Sequence, residues 1–264
     1  MLNVQKLIYN ELIKLASKTG NWVMTALLPL LVLGAALLCR YAGADELDMP
    51  NVWVFMDLIL SAIPNLMDIV TLFTIIVAAG IVASEFSGGT IKLLLIRPFH
   101  RSTLLFAKYA ASLLYGLCLM VLLALSGFLI GGLLFGFDGG SAAHAGSSLT
   151  DAGYVWKALG CSAIELVVMV SLAFMFSTVF RSSAMAIGIS LFFLLAGGQL
   201  AYVLKPFAWS KYLIFANSNL LLYLDGNPIL AGMTLHFSLM ALTIYLIGFL
   251  GLSWLVFAKR DVAG

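Results

Sequence analysis

The stretch YAASLLYGLCLMVLLALSGFLIGGLLFG runs from Tyr109 to Gly136 without one charged side chain. The hydrocarbon core of a bilayer takes about 20 apolar residues per helix, so this run is long enough to cross a membrane and too apolar for a soluble surface. Working outward, the same pattern recurs. Charge-poor runs separated by polar clusters fall at 22–39, 58–84, 109–136, 158–180, 183–204 and 234–257, six candidate spans in a single transmembrane domain over 1–264. The composition agrees: 62% of the 264 residues are hydrophobic and 10% charged, against about 25% charged in soluble domains. The expected fold is an all-α integral membrane protein with six transmembrane helices. Trp22 to Cys39 is longer than the roughly 7–15 apolar residues of a signal peptide, so a cleaved signal is not expected.

The scarce charges give orientation, because Lys and Arg gather on the cytoplasmic side of short loops. Lys6, Lys14, Lys18, Lys92, Arg97, Arg101, Lys108, Arg181, Lys259 and Arg260 fall on one side of the six spans. Arg40, Lys157, Lys205 and Lys211 fall on the other, among seven acids from Asp45 to Asp225. Both termini are therefore expected in the cytoplasm. A net charge of +2 leaves no basic stripe for nucleic acid.

Residues 1–20 hold a candidate interfacial helix, with Val4, Leu7, Ile8, Leu12 and Leu15 at helical spacing and Lys6, Asn10 and Lys14 opposite. The stripe is imperfect, since Glu11 falls within the apolar arc and Ile13 outside it. In the second span Pro64 is expected to kink or end the helix. Asp68 lies near its outer end, where a solvated or cap-like carboxylate competes with a place on a substrate path.

Between the second and third spans, residues 85–108 are the one long polar–apolar mixture on the cytoplasmic side. Gly88 and Gly89 permit a sharp turn, Thr90 can cap a helix over the apolar Ile91 to Ile96, Pro98 stops it, and Ser102 can cap the next. A short helix on such an elbow suits docking into a groove of a soluble partner.

The arrangement of Glu85, Gly89-Thr90, Leu94, Pro98, Arg101 and Lys108 resembles the cytoplasmic signature of ABC-2 type transporter permeases. The N-terminal segment with Glu11 and Lys14, six spans with both ends inside, and Phe257-Ala-Lys-Arg-Asp261 at the close agree with it. The likeness spans essentially the whole chain and is nearest to the small permeases that export lantibiotics and bacitracin. It implies a multi-pass protein of the bacterial cytoplasmic membrane that pairs with a second permease copy, identical or different, and docks cytoplasmic ABC ATPase subunits. Those subunits bind the ATP and Mg. ATPase closure would push on 86–98, with Glu85, Gly88, Gly89, Thr90, Leu94, Arg97, Pro98 and Arg101 as coupling residues. For Arg97, Arg101 and Lys108, contact with lipid headgroups is the alternative. The implied cargo is an amphiphilic peptide antibiotic, for immunity or resistance, with lipid-like or drug cargo as the alternative. The chain has no Gly-x-x-x-x-Gly-Lys-Ser/Thr loop of its own to cradle ATP.

Glu165 is the one acid well inside a span, eight residues past Lys157 and so about 12 Å deep. A carboxylate there must be protonated, paired or facing water, as part of a substrate path or as a hydrogen-bonded packing residue. No second His or Cys has ligand spacing with His236, so no metal site is expected. Gln199 is a weaker polar candidate. Cys39, Cys118 and Cys161 read as buried thiols. The outer segment 205–232, with Trp209, Tyr212, Phe215 and Asn217, reads as short interfacial helices. No nucleophile with a neighbouring base marks a membrane-embedded enzyme, which stays a competing class beside a peptide-binding sensor.

Overall fold

A computed structural model describes residues 4–41, 51–61, 65–89, 100–137, 151–180, 182–226, 228–230 and 232–259. These are helical, with no strand among them. The helices are α1 (Val4–Ala16), α2 (Thr19–Tyr41), α3 (Val52–Ser61), α4 (Leu66–Ser87), α5 (Arg101–Phe135), α6 (Asp151–Val179), α7 (Ser183–Val203), α8 (Ile214–Ser218), α9 (Leu221–Leu224) and α10 (Leu235–Lys259), with a 3-10 turn at Ala208–Tyr212 before α8. Six of them, α2, α4, α5, α6, α7 and α10, are long and apolar enough to cross a membrane. The run of charge-poor residues thus found each spanning helix.

The second span needs correcting. The expected run 58–84 is divided between α3, which ends at Ser61, and α4, which begins at Leu66. Asn65 caps α4, its side-chain oxygen accepting from the Asp68 amide at 2.6 Å. That bond satisfies a donor that would otherwise be orphaned at a helix start. Pro64 itself lies outside the described residues. The freed α3 packs on α5 at Gly127 and Gly131. A Cβ at Gly127 would lie 2.6 Å from Met56 Sδ, and one at Gly131 2.7 Å from Phe55 Cδ1. Gly127 and Gly131, four residues apart on one face of α5, therefore seat a helix of the same chain.

α4 forms the centre, packed against α5, α6 and α7, and α6 is the next most buried span. Val82 and Ala83 donate their amides to Ser177 Oγ at 3.1 Å each, which locks α4 to α6. The other spans lie outside and turn apolar side chains outward, among them Leu30 and Leu38 of α2, Leu129 and Leu133 of α5, Phe192 and Leu195 of α7, and Ile244 and Ile247 of α10. Contiguous apolar surface on this scale belongs in lipid.

The two ends differ. At one end, α1 packs on the first turns of α5, and Arg101 donates to the Ala258 carbonyl near the end of α10 at 3.5 Å. This is the terminal end. At the other, the 3-10 turn with α8 and α9 forms a cap. Asn217, fully buried, donates to the Lys211 and Leu213 carbonyls and accepts from Ser238 Oγ of α10, each at 2.8 Å.

Two further expectations change. α5 spans 35 residues, about 52 Å at 1.5 Å per residue, starting eight residues before the apolar run and carrying Lys108 inside it. His100, not Ser102, occupies its N-cap. Of the cysteines only Cys39 is buried; Cys118 lies exposed and Cys161 is half-buried.

Candidate functional site

At the terminal end, four charged side chains from three helices converge. Lys108 Nζ donates to Glu85 Oε1 at 2.6 Å and to Glu11 Oε2 at 3.1 Å. Lys14 Nζ donates to Glu11 Oε1 at 2.8 Å and lies 3.6 Å from Glu85 Oε1. The side chain of Lys108 is 1% exposed, and those of Glu11 and Glu85 are 11% and 13%. Two cations and two anions cancel, which is the condition for burying any of them.

This arrangement explains the flaw in the N-terminal stripe. Glu11 and Leu15 are the buried residues of α1, Leu7, Ile8 and Leu12 are half-buried, and Ile13 is exposed. The acid in the apolar arc points inward because its partner, Lys108, is there. Lys108 is thereby removed from the lipid-headgroup alternative. Neither pairing follows from spacing, because the partners are 97 and 23 residues apart. The signal present in the sequence was the out-of-place Glu11.

The cluster also shifts the titration of α1. Burial raises the Glu11 pKa, but Lys108 and Lys14 outweigh it and hold the carboxyl below its ordinary 4.5. Burial lowers the Lys14 pKa, but Glu11 and Glu85 outweigh it and hold it above 10.5. A depressed carboxyl contributes stability above its unfolded pKa and loses it as pH falls through the folded value; a raised amine contributes below its unfolded pKa and loses it as pH rises through the folded value. Docking of α1 should therefore be level between about pH 5 and 10 and weaken only outside that window. Quenching of a fluorophore on α1 during acid titration measures this. Release already at pH 6 to 7 would contradict it.

The elbow leaves α4 directly below the cluster. Gly88 is the C-cap of α4, and Gly89 has φ +67°, a left-handed conformation that side-chain-bearing residues avoid. Thr90, Leu94, Arg97 and Pro98 lie outside the described residues. Arg101 opens α5 and reaches the last carbonyls of α10, where a helix dipole favours a cation. Glu85 thus meets α1 through Lys14 and Arg101 meets the end of α10, on either side of the elbow.

Near the cap end lies a cavity of about 370 Å³ between α4, α6 and α7, roofed by α8 and α9. Asp68 and Glu165 both line it. Their meeting follows from register. Val82 is level with Ser177; counting back along the two parallel helices, 14 residues to Asp68 and 12 to Glu165, leaves them within about 3 Å in height. Asp68 is exposed, in the first turn of α4. Glu165 is the middle residue of α6, half-buried at the cavity wall, and has no hydrogen-bond partner among the described residues. His236 and Gln199 lie exposed, and no group of three His, Cys, Asp or Glu suited to a metal occurs among the described residues.

Two curated relatives cover most or all of the chain. An "Uncharacterized protein YhcI" of Bacillus subtilis (strain 168) is 36% identical over a gapped alignment of 319 residues that covers 100% of both chains. An "Uncharacterized membrane protein YdbK" of the same organism is 33% identical over 206 residues, 77% of this chain and 82% of that one. With residues 23–263 also matching the model of the family described as "Protein of unknown function (DUF2705)", the chain belongs to that family.

Proposed function

We propose that the chain is the permease subunit of an ATP-driven exporter of the ABC-2 kind, set in a bacterial cytoplasmic membrane with both termini inside. A second permease copy completes the pore, and cytoplasmic ATPases on separate chains bind ATP and Mg and push on the elbow. The cargo is an amphiphilic peptide antibiotic, exported or cleared for immunity or resistance. The same architecture also serves a lipid-like or drug cargo.

The observation that carries this reading is the ion cluster of buried Glu11, Glu85 and Lys108 with Lys14 at its edge. It clamps together the two helices that leave the elbow and fastens α1 to both. A push on the elbow is then delivered to α4, the helix at the centre of the bundle, and not lost in a local bend. Rigid motion of the bundle is the repertoire by which such a push changes access. The excess of Lys and Arg at the same end of the spans supports the cytoplasmic placement, and two relatives from a bacterium, one of them named a membrane protein, support the setting.

Orientation is checked with a single cysteine at Ser147 in a background lacking the three native cysteines. A membrane-impermeant maleimide should label it in intact cells, and protection would reverse the assignment. Coupling is checked at Gly89. A Cβ there meets nothing within 4 Å, so Gly89→Val acts through backbone strain alone, about 1–2 kcal/mol. The variant should fold and reach the membrane yet lose co-purification of the partner ATPase. Undiminished assembly and ATP turnover would overturn the coupling role.

A further inference from the structure

We propose that the cap-end cavity is a binding site for a lipophilic organic cation of drug size, whose charged centre sits at Glu165 with Asp68 at the mouth. The site stands on the chain's own geometry and does not depend on an ATPase partner.

Charge is the first ground. Among the described residues the cavity lining contains two carboxyl groups and no Lys, Arg or His. Asp68 has compensation of its own, because it stands in the first turn of α4, where the helix dipole favours an anion. Glu165 has none. At the middle of α6 it is as far as possible from either helix end, and no described side chain donates to it. An uncompensated carboxylate inside a membrane span is costly, and groups kept there line pathways or meet a partner. Here the missing partner is a cation from outside the chain.

The remaining lining supplies the rest of the recognition. Leu60, Leu72, Leu194 and Leu222 offer apolar contact, Phe215 and Tyr202 add aromatic rings to the lining, and Met67 and Met169 adapt to irregular shapes. Volume sets the size class. About 370 Å³ lies at the small end of the roughly 300–1,000 Å³ typical of small-molecule sites. That space holds one drug-sized ion, or a single cationic moiety of something larger, and not a whole amphiphilic peptide.

The experiment uses the full chain purified into nanodiscs. Tetraphenylphosphonium and tetraphenylborate have the same shape and opposite charge, so their comparison separates recognition of charge from partition into lipid. Equilibrium dialysis should give saturable binding of the phosphonium and only lipid-level uptake of the borate. Glu165→Gln keeps the size and removes the charge, and should weaken phosphonium binding about tenfold or more. Asp68→Asn should weaken it less. Gly198→Leu provides a steric control: Gly198 lines the cavity, and a Cβ there meets nothing within 4 Å. Its side chain should fill the site and abolish binding in a folded protein. No saturable phosphonium binding, equal uptake of both ions, or unchanged binding in Glu165→Gln and Gly198→Leu would overturn the proposal. Loss of ATPase assembly in a separate experiment would leave it standing.

Discussion

Lys108→Ala should destabilise the protein by about 3–5 kcal/mol, the cost of breaking a buried ion pair from one side. The reason is what remains. Removing the ammonium leaves Glu11 and Glu85, 11% and 13% exposed, facing each other across the half-exposed Lys14. Two carboxylates in that setting must repel, take up protons or draw in water, and each course separates α1 from α4 and α5. Denaturant unfolding of the purified chain, read by tryptophan fluorescence and by far-UV circular dichroism, gives the size of the loss. A cost below 1 kcal/mol would show that the cluster is solvated and holds nothing. The triple variant Lys108→Met, Glu11→Gln, Glu85→Gln discriminates further. It removes every buried charge while keeping volume, and should recover most of the loss, because a buried ion pair gives little net stability over an uncharged replacement of its size. Recovery of folding without recovery of ATPase coupling would separate the cluster's two roles.

The legible and illegible parts of this molecule divide along one physical line. Hydropathy acts residue by residue, so all six spans could be read from composition in a window; α2, α7 and α10 fall within a few residues of the expected bounds, whereas α6 starts seven residues before the expected 158, ahead of Lys157. What depends on a partner far along the chain could not be read. The run 58–84 looked continuous because α3 and α4 are both apolar; the break is made by a cap at Asn65 and by the seat that Gly127 and Gly131 provide for α3. The start of α5 was placed at the first apolar residue, Tyr109, because Lys108 reads as a boundary. Its charge is instead neutralised by two acids from other helices, so the helix continues through it toward Arg101. Glu165 was legible as a functional candidate, since an acid in a span is costly by itself. Its companionship with Asp68 was not, because that rests on the register between α4 and α6 set by Ser177.

Gly197→Val should cost about 3 kcal/mol, at the upper end of what overpacking does, whereas the same substitution at the neighbouring Gly198 should be nearly neutral. The two glycines share one helix, so intrinsic propensity changes equally in both and cancels from the comparison. Only the surroundings differ. A Cβ at Gly197 falls on the ring of Phe215, with Cε1 at 2.7 Å and Cγ at 2.9 Å, whereas one at Gly198 meets nothing within 4 Å. The ring has little room to retreat. It stacks on Phe193 at 5.6 Å, and Phe193 stacks on Phe176 at 5.6 Å, a ladder that joins α8, α7 and α6. Moving Phe215 therefore loosens the cap from two spans at once and disturbs the cavity that the ring lines. In a Phe215→Leu background the obstruction is gone, and the cost of Gly197→Val should fall to about 1 kcal/mol in a double-mutant cycle. Equal costs in both backgrounds would place the origin in α7 itself. A difference confined to Gly197 would establish that close approach of the cap to α7, and not helix formation, requires glycine there.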